Sequence, residues 1–338
     1  MKIIIPMAGR GSRLRPHTLT TPKPLVAIAG SPILNQLVKD TVKLIDEPID
    51  EIIFIIGDPL FFNKEVEISL REIAKKYDAK PVIYRQLNPL GTGHAIMCAK
   101  PSLKGGAIVI YPDTLIRVDN NFDKNSDVVI WTKRVSNPEA YGVVKLNQKN
   151  EIIDLVEKPK SFVSDLAVIG MYYFKEISQL KDKLEIVISN NKMNSGEYQI
   201  NDGLLAMMKE GKKFSVGEVN EWLDCGDVKK CIKANKAMLT FLNQDGKRLI
   251  SEKINLINAK IIPPCSIHHD VTIIDSTIGP YVSIGEGSKI LKSSISNSII
   301  QTNTSISNAN LKKSMVGNNC IYDGNGQEIN IGDFSELI

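Results

Sequence analysis

Lys2-Ile3-Ile4-Ile5-Pro6-Met7-Ala8-Gly9-Arg10-Gly11-Ser12-Arg13-Leu14 opens the chain, and Pro22-Lys23-Pro24-Leu25 follows shortly after. An aliphatic run that ends in glycines reads as a buried strand feeding a tight loop. Glycines at that point let backbone N–H groups approach phosphate oxygens, and Arg10, Arg13, Arg15 and Lys23 concentrate positive charge beside them. A Gly-x-Gly pair alone is a weak signal and is often a plain turn. A dinucleotide-binding loop would carry a third glycine, where Leu14 stands, and an acid about 20 residues further on. The nearest strand-end acid, Asp58, is too distant, and the Lys-Ser/Thr ending of a P-loop is absent.

Outward from this loop, apolar runs at 3–5, 52–56, 81–84 and 107–111 read as buried strands. Helical spacing of apolar residues fills 33–44, 64–77 and 94–99 between them. Such alternation predicts a mostly parallel sheet covered on both faces. From 127 to 174 strands dominate, at 128–131, 142–144, 152–156 and 167–174. They read as a β-rich insertion over the C-terminal ends of the parallel strands, where α/β sheets bind ligands. Helical patterns return at 177–188, 200–208 and 228–242, and Asn243-Gln244-Asp245-Gly246 marks a boundary. The reading divides the chain into an α/β domain, 1–243, and a second domain, 244–338.

The second domain changes character. Ile267, Ile273, Ile278, Ile284, Ile290, Ile295, Ile300, Ile306, Leu311 and Val316 recur at steps of five or six residues, with Gly, Ser, Asn and Thr between. Helical and alternating-strand templates fail here, and a disordered tail would not place aliphatics so regularly. A hexapeptide repeat fits, with one inward residue per short strand and three strands per coil, giving about three coils between 267 and 316.

Composition narrows the function classes. The 338 residues are 43% hydrophobic and 24% charged, with a net charge of +4. That excess is too mild for a nucleic-acid binder and suits phosphorylated small molecules. The cysteines Cys98, Cys225, Cys231, Cys265 and Cys320 are scattered without zinc spacing and read as reduced thiols. No signal peptide and no membrane span stand out, so a cytoplasmic protein without nucleic-acid or membrane partners is expected.

Three further blocks carry chemistry. Gln86-Leu87-Asn88-Pro89-Leu90-Gly91-Thr92-Gly93-His94 is a Gly-rich turn opening a helix, with an amide nearby. An amide presents a donor and an acceptor, matching the imide edge of uracil or thymine; a surface Gln beside a helix start is the plain alternative. Ile108-Val109-Ile110-Tyr111-Pro112-Asp113 is an aliphatic strand ending in a carboxylate, suited to Mg²⁺ or to a simple turn. Glu157-Lys158-Pro159 offers a carboxylate and an ammonium, or a solvated turn.

Gly-x-Gly-Ser-Arg-Leu followed by Pro-Lys-Pro resembles the sugar nucleotidylyltransferases, which include glucose-1-phosphate thymidylyltransferase and the uridylyltransferases. The resemblance covers about 1–242. It implies a Rossmann-like, GT-A-like mixed α/β sheet followed by a short left-handed β-helix. It also implies transfer of a nucleotidyl group from a nucleoside triphosphate, dTTP or UTP, to a hexose 1-phosphate such as glucose 1-phosphate, with Mg²⁺. Arg13 and Lys23 would act on the phosphates. Nucleotide binding would fall to Ala8, Gly9, Gly11, Ser12, Gln86, Gly91 and Thr92. Glu221-Trp222-Leu223-Asp224-Cys225-Gly226 is similar to the family's Trp-x-Asp-x-Gly, making Asp113 and Asp224 the metal ligands. Gly142, Glu157, Lys158 and Val168 would hold the sugar phosphate. Ala167-Val168-Ile169-Gly170-Met171-Tyr172 resembles the thymidylyltransferase strand. N-acetylglucosamine-1-phosphate uridylyltransferases carry an asparagine near this strand, in Asn-Thr-Gly, and usually no Lys after the Glu; here Ile169 precedes Gly170 and Lys158 follows Glu157, which favours a plain hexose. A nucleotide-sugar-binding regulator without catalysis is the other reading. His268-His269 reads as a surface pair and not an acyltransfer centre, and the β-helix is expected to mediate homo-oligomers.

Overall fold

Ile3, Ile4 and Ile5 are fully buried because their strand, Lys2–Pro6, lies inside a sheet with neighbours on both edges. The computed structural model describes residues 1–118, 122–194, 196–324 and 328–337. Contacts group the chain into two compact units. The first comprises Met1–Gly9, Leu37–Pro112 and Ile116–Trp222; the second comprises Arg10–Gln36, Asp113–Leu115 and Leu223–Ile338.

In the first unit Lys2–Pro6 pairs in parallel with Glu51–Ile56 and Ala107–Ile110, and Glu51–Ile56 pairs in parallel with Lys80–Arg85. Helices between these strands are the crossovers that parallel pairing requires. Lys64–Lys75 starts at Asn63, whose side chain accepts from the Val66 N–H, with Glu65 and Glu67 in the first turn. The β-rich stretch differs from expectation. It is not a separate insertion: Leu166–Phe174 runs antiparallel between Ala107–Ile110 and Val128–Arg134 within the same nine-stranded sheet. Its run of apolar residues is buried on both faces, which only an interior strand allows. A register shift between Val168 and Tyr172 bends it. The hairpin Gly142–Leu146 and Ile152–Glu157 continues the sheet edge. Ile4, Ile53, Val109, Phe174, Leu184 and Leu204 belong to one continuous core.

In the second unit short parallel strands stack into sheets of six, four and five strands among the described residues. The pattern residues fall into inward columns: Ile273, Ile290, Ile306 and Tyr322 are in register, as are Ile278, Ile295 and Leu311, and Ile267, Ile284, Ile300 and Val316. This is the β-helix. Corner residues Asn258, Asp275 and Asn308 take left-handed φ of 48°, 48° and 51°, which short polar side chains tolerate best, and Lys292 takes the same turn at 45°. The helix is longer than three coils. A coil precedes the repeat at Ile254–Ile257, Lys260–Ile261 and Cys265–Ile267, and another follows with Ile321–Asp323 and Asn330–Ile331. Leu256 and Ile261 carry the five- and six-residue step back from Ile267, in register with Ile273 and Ile278, so the first coil continues the pattern. In the last coil Tyr322 takes the place of an aliphatic and breaks it. Among the described residues no helix is long and apolar enough to cross a membrane.

Column packing makes a testable prediction. Ile295 is 1% exposed and Leu291 is 38% exposed. Ile295→Ala should cost about 2–5 kcal/mol of stability, while Leu291→Ala should stay within about 0.5 kcal/mol, read by denaturant unfolding. Equal losses would contradict the inward column.

Candidate active site

Arg13, Lys23, Asp113 and Asp224 all belong to the second unit. Gly11 has φ +63°, and a Cβ there would stand 2.9 Å from the Lys23 Cβ and 3.2 Å from the Thr18 Cγ2. A side chain at position 11 would therefore push on the backbone that carries Lys23. The Gly11 carbonyl accepts from the Leu14 N–H at 2.9 Å and the Thr18 hydroxyl at 2.7 Å, closing the loop as the turn Ser12–Leu14. Leu14 is fully buried, with Ser12 and Arg13 exposed before it and Arg15 exposed after it. Around Gly9 a Cβ would meet nothing within 4 Å.

Lys23 is 8% exposed, and its Nζ lies 3.9 Å from Asp113 Oδ2, at the limit of an ion pair. The Cys225 N–H donates to the Asp113 carbonyl at 3.0 Å, which ties the two metal candidates together through backbone. Asp224 Oδ1 accepts from the Gly226 N–H at 2.6 Å, and Oδ2 accepts from Lys230 Nζ at 2.6 Å. A Cβ on Gly226 would lie 2.8 Å from Asp224 Oδ1 and 3.8 Å from Arg13 Cζ, so the guanidinium lies close beside this turn. Cys225 is buried there, and its contact with the Cys231 thiol and its burial hold the thiol well above its usual range. It stays protonated and is no nucleophile. Lys230 was not legible as a site residue. Its signal is positional: Asp227 caps the helix Val228–Gln244 by accepting from the Lys230 N–H, which puts Lys230 on the first turn after Asp224.

The remaining candidates lie in the first unit. Gln86 is 9% exposed, and its Nε2 donates to the Gly91 carbonyl and to His94 Nδ1, each at 3.0 Å. Both amide hydrogens are thereby used, and Oε1 remains as an acceptor. Burial lowers the His94 pKa, in keeping with a neutral ring whose Nδ1 accepts. Gly91 has φ +105°, and a Cβ there would meet the Tyr198 carbonyl at 2.6 Å, a close approach only glycine permits. Thr92 accepts from the Ile200 N–H through Oγ1.

A cavity of about 220 Å³ is lined by Gly142, Glu157, Val168, Gly170, Tyr172 and Asn201, among others. A Cβ on Gly142 would stand 2.8 Å from Glu157 Oε2, so the glycine leaves room for the carboxylate. Lys158 follows at the exposed strand end with φ +43° and does not line the cavity. Asn201 was not anticipated. It sits on the first turn of Ile200–Lys209, where Gln199 and Asp202 form a capping box, and that Gln-x-x-Asp spacing is a signal the sequence does carry.

The nucleotidyl transferase family profile matches residues 2–240. The chain is 30% identical over 344 residues to the bifunctional protein GlmU of Methanocaldococcus jannaschii, covering 96% of this chain and 79% of that protein. It is 26% identical over 365 residues to glucose-1-phosphate thymidylyltransferase of Streptomyces antibioticus, covering 100% of this chain and 99% of that one. A crystal structure of apo UDP-glucose pyrophosphorylase superposes with a TM-score of 0.58 at 24% identity, over 71% of this chain and 98% of that one. That likeness speaks for the fold alone. The profile match over most of the chain, with a 30% identical relative spanned almost end to end, decides the matter: the chain belongs to the nucleotidyl transferase family and is a nucleotidyltransferase.

Proposed function

We propose that the protein transfers a nucleotidyl group from dTTP or UTP to a hexose 1-phosphate, probe substrate glucose 1-phosphate, and releases pyrophosphate. The observation that carries the reading is the gathering of Arg13, Lys23, Asp113 and Asp224 in one unit, with the two carboxylates linked by the Cys225–Asp113 backbone bond. A phosphate monoester dianion is already a nucleophile, so no general base is needed. The barrier is repulsion between anions and charge on the leaving group, which fixed cations offset. Arg13 stabilises the α-phosphate and the departing pyrophosphate. Lys23, buried and so held in place, neutralises the incoming charge, and Lys158 is assigned the sugar phosphate.

The donor set suits Mg²⁺: two carboxylates without nitrogen or sulfur ligands, at the ends of neighbouring strands. Asp113 and Asp224 would hold the ion, which would supply charge neutralisation at the phosphate oxygens. Lys23 and Lys230 lie beside these carboxylates.

Base selection is assigned to Gln86. With its amide hydrogens engaged by Gly91 and His94, Oε1 would accept the imide N–H of uracil or thymine. Gly142, Glu157 and Val168 are assigned the sugar, the carboxylate taking hydroxyl hydrogens. A second reading takes an N-acetylhexosamine 1-phosphate as acceptor. It draws on the identity to the protein named GlmU and on the Asn201 amide in the cavity. Self-association is proposed through the β-helix, where Ile257, Ile274 and Leu291 stack in register on an outer face and Ile257 and Leu291 are exposed.

A grid of four triphosphates against several sugar 1-phosphates, read by pyrophosphate release, tests the function. Turnover is expected with dTTP or UTP and a hexose 1-phosphate; an N-acetylhexosamine preference selects the second reading, and no turnover anywhere leaves the regulator. Arg13→Ala should lower kcat by about 10²–10³ with a smaller change in KM. A change confined to KM would limit Arg13 to ground-state binding. Asp113→Asn should weaken activity and shift the Mg²⁺ titration to higher concentration; full wild-type turnover in excess EDTA would refute the metal assignment. Gln86→Leu should lower the preference for dTTP or UTP over ATP and GTP, because it removes the acceptor. Indiscriminate wild-type turnover would refute base reading at this position.

A further inference from the structure

The segment that carries Arg13 and Lys23 has little secondary structure to hold it. Across Arg10–Gln36 there are three short 3₁₀ turns, a two-residue strand pairing and the start of a helix. Its anchors come from the β-helix of the same unit. His17 is 2% exposed, and its Nε2 donates to Asn330 Oδ1 at 2.7 Å. The Thr20 and Thr21 hydroxyls both donate to Asp333 Oδ2, at 2.5 and 3.1 Å. The other oxygen of that carboxylate accepts from the Asn318 N–H at 2.7 Å, so the coil fixes the acceptor before the threonines reach it. Further along, Gln301 Nε2 donates to the Ala27 carbonyl at 3.1 Å and His268 Nε2 to the Gly30 carbonyl at 2.6 Å. A Cβ on Gly332 would strike Pro16 at 2.8 Å, and one on Gly30 would strike Ser266 Oγ at 2.1 Å.

We propose that the last coils of the β-helix are a positioning element for the phosphate-binding segment, with Asp333 and Asn330 as positioning residues that act through Thr20, Thr21 and His17 on Arg13 and Lys23. The clamped residues, 17–21, stand between the two cations in the chain, so releasing them loosens both at once. The proposal rests on the assignment of Arg13 and Lys23 to the phosphates. Its physical reason is that a cation stabilises a transition state only if held in place beforehand, and a displacement of about 1 Å costs on the order of 10²-fold in rate. In this reading the β-helix serves the reaction as well as any self-association, and it does so without touching the substrate.

Two measurements on the full chain test this. The first is hydrogen exchange in Asp333→Ala and in the near-isosteric double variant Thr20→Val with Thr21→Val, against wild type. Peptides spanning 12–25 should exchange faster in both variants, while peptides from the strands Glu51–Ile56 and Ala107–Ile110 stay unchanged. The second is kinetics with the substrate pair that the grid identifies. Both variants should lose about tenfold or more in kcat/KM for the triphosphate, with KM for the sugar 1-phosphate within about twofold. Thr20→Ser with Thr21→Ser keeps both hydroxyls and should restore the rate. Adding Asp333→Ala to the valine pair should cost nothing further, because the three groups share one interaction. Ile306→Val, in the β-helix core, should lower thermal stability without this kinetic loss. Unchanged exchange at 12–25, or wild-type kinetics in Asp333→Ala and the valine pair, overturns the proposal, as does an equal kinetic loss in Ile306→Val. Faster exchange in a protein that turns over no substrate pair would instead overturn the assigned reaction and leave the anchoring standing.

Discussion

Asn235 is the contact on which the second unit turns. It is fully buried on the helix Val228–Gln244, and every polar atom of its side chain that could be costly to bury has a partner. Oδ1 accepts from the Ala29 N–H at 2.8 Å and the Ser283 hydroxyl at 2.6 Å, and Nδ2 donates to the Tyr281 carbonyl at 3.2 Å. One amide thus joins the segment after the glycine loop, the helix after Asp224 and a coil of the β-helix. Around it Leu14, Val26, Ile28, Cys231, Leu239, Ile299 and Met315 form one apolar core. A buried amide left without partners would cost about 1–3 kcal/mol per lost bond, so these three pieces are fixed relative to one another within the unit.

That constraint explains how charge is arranged. Two carboxylates meet two lysines: Lys23 with Asp113 and Lys230 with Asp224. The pairs are unequal. Asp113 is half exposed and its lysine is 3.9 Å away, so that pair contributes at most about 1 kcal/mol. The Lys230–Asp224 contact is a short hydrogen bond to a carboxylate that is only 24% exposed, and it is the stronger of the two. Each acid thus has its own lysine, and the Lys23 pair is the easier of the two to break.

His17 illustrates the same economy of burial. Its pKa is lowered chiefly by desolvation, against the raising effects of Asn330 and Asp333. A depressed histidine is neutral in the fold and contributes stability above its unfolded pKa that is lost as the pH falls. Acid should therefore loosen the contact between residues 17–21 and the last coil, where Asp333 is also the acceptor for Thr20 and Thr21.

Much of this was legible in residue order. An aliphatic strand ending in Gly-x-Gly, strands alternating with helical spacing, and an aliphatic every five or six residues fix the fold class, because each periodicity suits one backbone geometry. The glycine loop nominates Arg13 and Lys23 and the aliphatic strand ending at 113 nominates Asp113, whereas Asp224 follows only from the resemblance of its surroundings to the family's Trp-x-Asp-x-Gly. What sequence could not supply is contact between distant segments. Leu166–Phe174 reads as part of an insertion, yet it is an interior strand, since pairing partners are chosen by the sheet and not by the strand. The last coil escapes the pattern because Tyr322 interrupts it while the backbone ladder continues. The free acceptor of Gln86, the Lys230 partner of Asp224 and the hold of Asp333 on Thr20 and Thr21 join residues up to 313 positions apart. Local periodicity records which face of an element is apolar; only the tertiary fold decides which polar groups end up within hydrogen-bond reach, because that depends on packing among segments that share no local signal.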